Sequence, residues 1–501
     1  MPATPQARRR IPTGAASVLA ALLAVAGCAV GPDFRRPAPP AVGGFVAPPV
    51  AEESGPPAPD TAQLASGEAV PATWWELFHY PALDDVLRQA IADNETLVAA
   101  RATLAAAQEA ETEARGAFWP QIDLAGNLSH EEVGSRSTTV SGGRSGGFNL
   151  YSVGPTVSYV PDVFGATRRG VEQAAALAEK QRYELAAAYL TLTGNAVTQS
   201  MTIASARMQL AAAEDIVADD QQNENLVRQK LEAGKAAEVD VLTAESQLAT
   251  DRAQIPPLRQ QLSVARHALA ILVGRFPADW SAPEFDLAAF ALPGELPLSL
   301  PSEVARQRPD VLAAEAQLHA DSAAIGVATA QLYPTITLSA SVNAESLANN
   351  FAFPGANAVS DLAAGVTAPL FHGGALLAQR RGAIDTFQGT LATYRQTVLA
   401  AFQQVADTLR ALEHDSELVD AERHALDTSD RARVLQRVSY EEGKSDLLQL
   451  LDAERVYQQA RLGYARAQAQ RLQDTTQLLV ALGGGWWGSP VGSDASVVSS
   501  R

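Results

Sequence analysis

Among residues able to do covalent chemistry, Cys28 stands apart as the single cysteine of the 501-residue chain. Arg8, Arg9 and Arg10 precede an apolar run from Ala15 to Ala26, and Val25-Ala26-Gly27 lead into the cysteine. The run is too short to span a bilayer, so it reads as a cleaved signal peptide, and small residues before the cysteine match a bacterial lipoprotein processing site. A disulfide within the chain is impossible. Ala29, not Asp, follows Cys28, which leaves no inner-membrane retention signal. A covalent lipid on Cys28 is therefore the expectation. No other constellation points to catalysis. Gly143-Arg144-Ser145-Gly146-Gly147 fits a nucleophile-elbow pattern but lies in a Ser/Gly-rich loop between two strands, where an elbow needs strand, turn and helix. Gly483-Gly484-Gly485-Trp486-Trp487-Gly488 fits a dinucleotide pattern but ends a helix near the C-terminus, with no crossover helix behind it. The seven histidines are scattered, so neither a metal site nor a cofactor is expected. Asp215, Asp219 and Asp220 read as a solvated helical face. The chain is not expected to be an enzyme.

A net charge of −18 argues against nucleic-acid binding. Aromatic residues make up only 6% of the chain and alanine is abundant, which suits closely packed helices. After the signal peptide (1–27), residues 28–73 are rich in Pro, Gly and Ala and read as a lipidated tether, with structured sequence beginning near Trp74-Trp75. Beyond them lies an internal repeat with a spacing of about 210 residues. Phe118-Trp119-Pro120-Gln121-Ile122-Asp123-Leu124 is echoed by Leu332-Tyr333-Pro334-Thr335-Ile336-Thr337-Leu338, and Glu232-Ala233-Gly234-Lys235 by Glu441-Glu442-Gly443-Lys444. Leu242, Ala244 and Glu245 align with Leu451, Ala453 and Glu454. The repeats are placed at 74–290 and 291–487, each with a helix, two strands, a long helix and a return helix; 488–501 reads as a disordered tail.

The strands show period-two alternation. Ile122, Leu124 and Leu128 oppose Gln121, Asp123, Asn127 and Ser129, and Ile336, Leu338, Ala340 and Val342 oppose Thr335, Thr337, Ser339, Ser341 and Asn343. Partner strands near 149–160 and 358–370, the latter carrying Leu362, Ala364, Val366 and Leu370, alternate less strictly. Strands of this kind suit an outer-membrane barrel, and a soluble sandwich with one wet face stays open. Four strands cannot close a barrel, whereas a trimer supplies twelve.

Thr167 to Leu231 contain no proline, and Ala378 to Glu441 repeat the pattern, so each predicts a helix on the order of 100 Å long. Return helices are expected from Val239 to Leu272 and from Leu447 to Leu482. Gly234 and Gly443 fall at the hairpin turns, where a residue tolerant of positive φ is needed.

These residues resemble the lipoprotein branch of the TolC-like outer-membrane efflux proteins. The most specific matches are Cys28-Ala29-Val30-Gly31-Pro32-Asp33-Phe34, Trp74-Trp75 with Phe78 and Pro81, and Arg308-Pro309-Asp310-Val311 with Ala314-Glu315. Tyr440-Glu441-Glu442-Gly443-Lys444 through Leu450-Leu451-Asp452-Ala453-Glu454-Arg455 is another. The resemblance implies an α+β, mostly α chain, forming a trimeric 12-stranded transmembrane β-barrel continued by a long periplasmic α-helical barrel. It implies an exit duct in the outer membrane for drugs or other small molecules, served by a periplasmic adaptor and an inner-membrane resistance-nodulation-division pump. It also implies a periplasmic gate, with Asp452 as an acidic ring, Leu448 as an apolar constriction, and Tyr440 and Arg455 holding neighbouring helices shut. Gly234, Lys235, Gly443 and Lys444 are candidate adaptor contacts, and the two lysines could equally be exposed turn residues. A duct for type I protein secretion and a coiled-coil lipoprotein without a pore are the alternatives.

Overall fold

The computed structural model describes residues 29–38, 44–45, 63–133, 146–346 and 357–488. Cys28, the signal peptide, most of the tether, much of the Gly143–Gly147 motif and the tail beyond Gly488 lie outside the described residues. The elements are β1 (Gln63–Ser66), α1 (Pro81–Asp93), α2 (Glu95–Gly116), β2 (Gln121–Val133), β3 (Gly146–Tyr159), α3 (Ala166–Glu232), α4 (Glu238–Arg252), α5 (Ile255–Leu272), β4 (Glu295–Leu298), α6 (Pro301–Gln307), α7 (Pro309–Ala330), β5 (Thr335–Ser346), β6 (Asn357–Thr367), α8 (Ala375–Glu441) and α9 (Leu447–Ala481). None of these helices is long and apolar enough to cross a membrane. The long helices α3 and α8 are each 67 residues.

Contacts divide the chain into two compact units, each drawing segments from both halves of the sequence. The first combines residues 29–36 with the described parts of 105–180 and 314–393. It holds an antiparallel sheet ordered β2-β3-β5-β6, in which β3 pairs with β5 and so joins the hairpins of the two repeats. The ladder between β3 and β5 skips Gly154 and Pro155, because proline has no N–H to give. On the edge strands both faces are exposed: Ile122 and Leu362 are 71% and 87% exposed, and polar Asp123 and Asp361 beside them are open as well. Leu370 lies beyond the end of β6, so it does not extend the strand's apolar face as expected.

Both described ends of the tether are tied to the folded chain, beginning with residues 29–36. Val30 N–H donates to the Phe164 carbonyl at 3.0 Å, and the buried Arg169 guanidinium donates to Asp33 and Glu172, each at 2.7 Å. Phe34 stacks on His319 with centroids 4.5 Å apart, and Arg36 pairs with Glu315. Gly31 lies so close to Gly326 that a Cβ on Gly31 would sit 2.4 Å from the Gly326 Cα. Composition suggested a spacer, but the backbone polar groups of the segment find partners far away in sequence. Likewise, Gln63–Ser66 form β1, paired in parallel with β4.

The second unit comprises the described parts of residues 37–104, 181–313 and 394–488. Trp74, Phe78 and Phe285 are fully buried, and Tyr80 packs edge-on against both Phe285 and Phe290. Arg308 of the Arg-Pro-Asp-Val motif caps the end of α9: its Nη1 donates to the Ala481 carbonyl at 2.8 Å, while Asp310 holds the guanidinium by two oxygens. The first return stretch is not one helix. It breaks at Ala253–Gln254, since Pro256 and Pro257 remove the two N–H groups that would carry the hydrogen-bond ladder through. The second return, α9, has no proline and runs unbroken for 35 residues.

Candidate helix-tip site

Both hairpin turns are closed by the same backbone device. In the first, Gly234 N–H donates to Leu231 and Lys235 N–H to Lys230; in the second, Gly443 N–H donates to Tyr440 and Lys444 N–H to Ser439. These are the paired bonds of a Schellman end, which needs a left-handed residue at its centre. Gly234 and Gly443 supply it with φ of 71° and 73°. The next helix starts differently in the two turns. Asp446 caps α9 by accepting from Gln449 N–H at 2.9 Å, whereas Ala237 has no capping oxygen and Asp240 reaches back to its N–H at 2.8 Å. Lys235 is exposed, and Lys444 is exposed and paired with Glu442.

Directly behind the turns, Tyr440 is buried against Val227, Val241, Ala244, Leu447 and Leu450. Lys230 on α3 lies over the Tyr440 ring, 3.4 Å from its centroid, and donates to the Tyr440 carbonyl at 2.9 Å. This contact ties the first hairpin to the second within one chain. Burial lowers the Lys230 pKa, and burial together with nearby Asp240 raises that of the Tyr440 phenol.

The three other proposed gate residues share one face of α9, at positions 448, 452 and 455, the spacing of a helical stripe. Leu448 is 67% exposed, whereas neighbouring Leu450 is fully buried. Arg455 pairs with Asp452 at 2.6 Å and reaches Gln459 at 3.4 Å, all on α9 itself. Within one chain, then, Arg455 does not join neighbouring helices; Tyr440 does, through its ring and carbonyl.

Sequence reasoning passed over Lys230 and the ion pairs just behind it. Arg437 on α8 contacts Glu454 on α9 at 2.8 Å, and Arg228 on α3 contacts Glu245 at 2.8 Å. Residues 228 and 245 correspond to 437 and 454 at the spacing of the sequence repeat, and the aligned Glu245 and Glu454 were the available signal. Their surroundings differ: the Glu454 side chain is 4% exposed and that of Glu245 is 44% exposed. The acidic run also needs correction. Asp215 is exposed and pairs with Arg461, but Asp220 is only 3% exposed because it faces the return helix. Burial and nearby Asp251 push the Asp220 carboxyl up to about 8. Among the described residues, no cluster of His, Cys, Asp and Glu could hold a metal ion.

The architecture has close counterparts. The solved outer-membrane channel OprN superimposes with a TM-score of 0.80 at 27% identity, over 92% of this chain and all of that one. The pyoverdine export outer membrane protein OpmQ of Pseudomonas aeruginosa is 30% identical over 82% of this chain and 87% of its own length. Nodulation protein T of Rhizobium leguminosarum is 28% identical over 97% of this chain and 96% of its own length. The sequence profile of the outer membrane efflux proteins matches residues 86–275 and again 300–484, one match to each of the repeated series of elements. A chain matched twice by one profile, with the fold of a solved outer-membrane channel, belongs to the outer membrane efflux protein family.

Proposed function

We propose that three copies of this chain form the outer-membrane exit duct of a tripartite resistance-nodulation-division efflux system, lipidated at Cys28. The observation that carries this reading is the sheet of the first unit. Four strands leave β2 and β6 with unpaired edges, and the exposed Ile122, Leu124, Leu362 and Val366 form apolar rows with no cover among the described residues. Open edges are not tolerated in a bilayer. Three such sheets joined edge to edge make twelve strands, enough to enclose a pore. A soluble sandwich would require a second sheet over the apolar rows, and the described residues provide none. The two matching series of elements are the product of an internal duplication.

The stripe of Leu448, Asp452 and Arg455 is unpartnered outside its own helix among the described residues and forms the periplasmic gate. Three carboxylates gathered on an axis repel one another and hold cations, which suits a selective constriction. The exposed turns at Gly234-Lys235 and Gly443-Lys444 dock the periplasmic adaptor. The cargo is a small molecule delivered by the pump, in keeping with a relative named for pyoverdine export. Purified trimers in planar bilayers test the reading. Replacing Asp452 and Arg455 together with Ala raises conductance several-fold, and unchanged conductance removes them from the gate. Native mass fixes the trimer, and a monomeric mass overturns the duct itself.

A further inference from the structure

A buried polar layer crosses the second unit where the first return helix breaks. α3 contributes Asp219 and Asp220, α4 Asp251, α8 Arg433 and Arg437, and α9 Glu454. The two guanidiniums are already engaged. Arg437 lies 2.8 Å from Glu454 and 3.7 Å from Asp219, and Arg433 lies 3.4 Å from Asp219 and 3.8 Å from Glu454. Asp220 and Asp251, 3% and 4% exposed, are left facing each other. Two carboxylates in contact and out of water cannot both be ionised.

The surrounding donors show which one keeps the proton. Asp251 accepts the side-chain amides of Gln247 at 2.7 Å and Gln254 at 2.9 Å. No donor reaches either Asp220 oxygen, which leaves Asp220 as the side placed to hold the shared proton. The second hairpin repeats the arrangement at a different level. Asp415 on α8 faces Asp474 on α9, and both are 7% exposed. Asp474 accepts the amide of Gln470 at 2.8 Å, while Asp415 Oδ2 has no partner. Arg471 and His414 are the other charged or titratable groups beside Asp415. In each case a glutamine one turn earlier on the return helix steadies the carboxylate, and the long helix presents the acid.

We infer that each long hairpin is held by a proton-dependent clasp, Asp220 with Asp251 and Asp415 with Asp474, and that losing the shared proton loosens the return helix. The first hairpin opens more readily, because α4 ends at Arg252, one residue past Asp251, and breaks before α5. The direction with pH follows from the raised values. Burial and the facing carboxylate lift Asp220 from 3.8 to about 8 and Asp415 from 3.8 to about 7. An opened hairpin returns these acids to ordinary values. Between those limits the closed form holds one more proton per clasp, so it loses stability as pH rises from about 4 to the raised value and is level above it.

Hydrogen–deuterium exchange on the full-length protein in detergent, corrected for intrinsic exchange rates, tests the inference. In the wild type, opening of residues 244–252 rises with pH by up to about tenfold per unit. Asp220→Asn, which keeps a donor without the charge, flattens that rise, and Asp415→Asn does the same for the α9 segment around Asp474. Asp215→Asn, at an exposed site, leaves both profiles intact. Equal pH profiles in the wild type and Asp220→Asn overturn the clasp. An independent readout is the infrared band of protonated carboxyl at neutral pH: the wild type shows it and Asp220→Asn weakens it, and a wild type without the band also overturns the inference. Neither readout requires conductance, so the clasp stands or falls separately from the duct.

Discussion

At the residue scale, one ion pair occurs twice in different settings, which makes its energetics testable. Arg437–Glu454 is buried and Arg228–Glu245 is largely solvated, with the same contact distance of 2.8 Å. Truncating one partner of a buried pair leaves an uncompensated charge, which costs about 3–5 kcal/mol, while an exposed pair contributes about 1 kcal/mol or less. Glu454→Ala therefore lowers the thermal stability of the detergent-solubilised protein clearly, and Glu245→Ala changes it little. Burial raises the Glu454 carboxyl although Arg437 and Arg433 pull it down, so desolvation is the larger influence. Tyr440 permits a second comparison. Its counterpart in the first repeat is Leu231, so Tyr440→Leu keeps the apolar filling and removes the ring beneath Lys230. The expected loss is about 0.5–2 kcal/mol, read from the same melting curves.

At the element scale, the turns and the N-terminal strap respond to different substitutions. A Cβ at Gly443 meets open space, so the strain in Gly443→Ala comes only from its positive φ and amounts to about 1–2 kcal/mol. Faster proteolysis at that turn, with the sheet unit unaffected, is the expected result. Gly326→Val, by contrast, drives a Cβ into the Arg169 stem, whose guanidinium holds the Val30 carbonyl and Asp33, and it releases residues 29–36 from α7. Loss of exchange protection at the Val30 N–H, which the Phe164 carbonyl accepts, reports that release. The long helices were legible from the absence of proline over more than sixty residues, and the two turns from Gly-Lys pairs at a fixed spacing. The break between α4 and α5 was equally readable from Pro256-Pro257. It was missed because the repeat suggested that both return helices would be alike.

At the scale of the whole molecule, the four-stranded sheet keeps two open edges and uncovered apolar rows among the described residues. Leu124 and Leu362 are 78% and 87% exposed on edge strands, which an isolated soluble chain would not favour. Leu124→Arg places a charge on the surface proposed to face lipid, at a cost of about 2–4 kcal/mol near the bilayer midplane. Fewer trimers recovered from the outer-membrane fraction is the expected outcome, and an equal yield would argue that the face meets protein or water.

Local pattern was enough to read the two long helices, the four strands of the sheet, the hairpin turns and the family, because each depends on local periodicity, glycine and proline placement, or short motifs. Tertiary structure decided which polar residues are paired and which are buried. Asp215 and Asp220 lie on one helix five residues apart, yet Asp215 stays exposed beside Arg461 while Asp220 faces the first return helix and loses its water. The strap shows the same limit: Gly31, Asp33 and Phe34 look like part of a spacer until Gly326, Arg169 and His319 are brought against them. Burial and partnership are set by residues distant in sequence, about thirty positions for Asp220 and Asp251 and more than a hundred for the strap, and no local pattern encodes that distance.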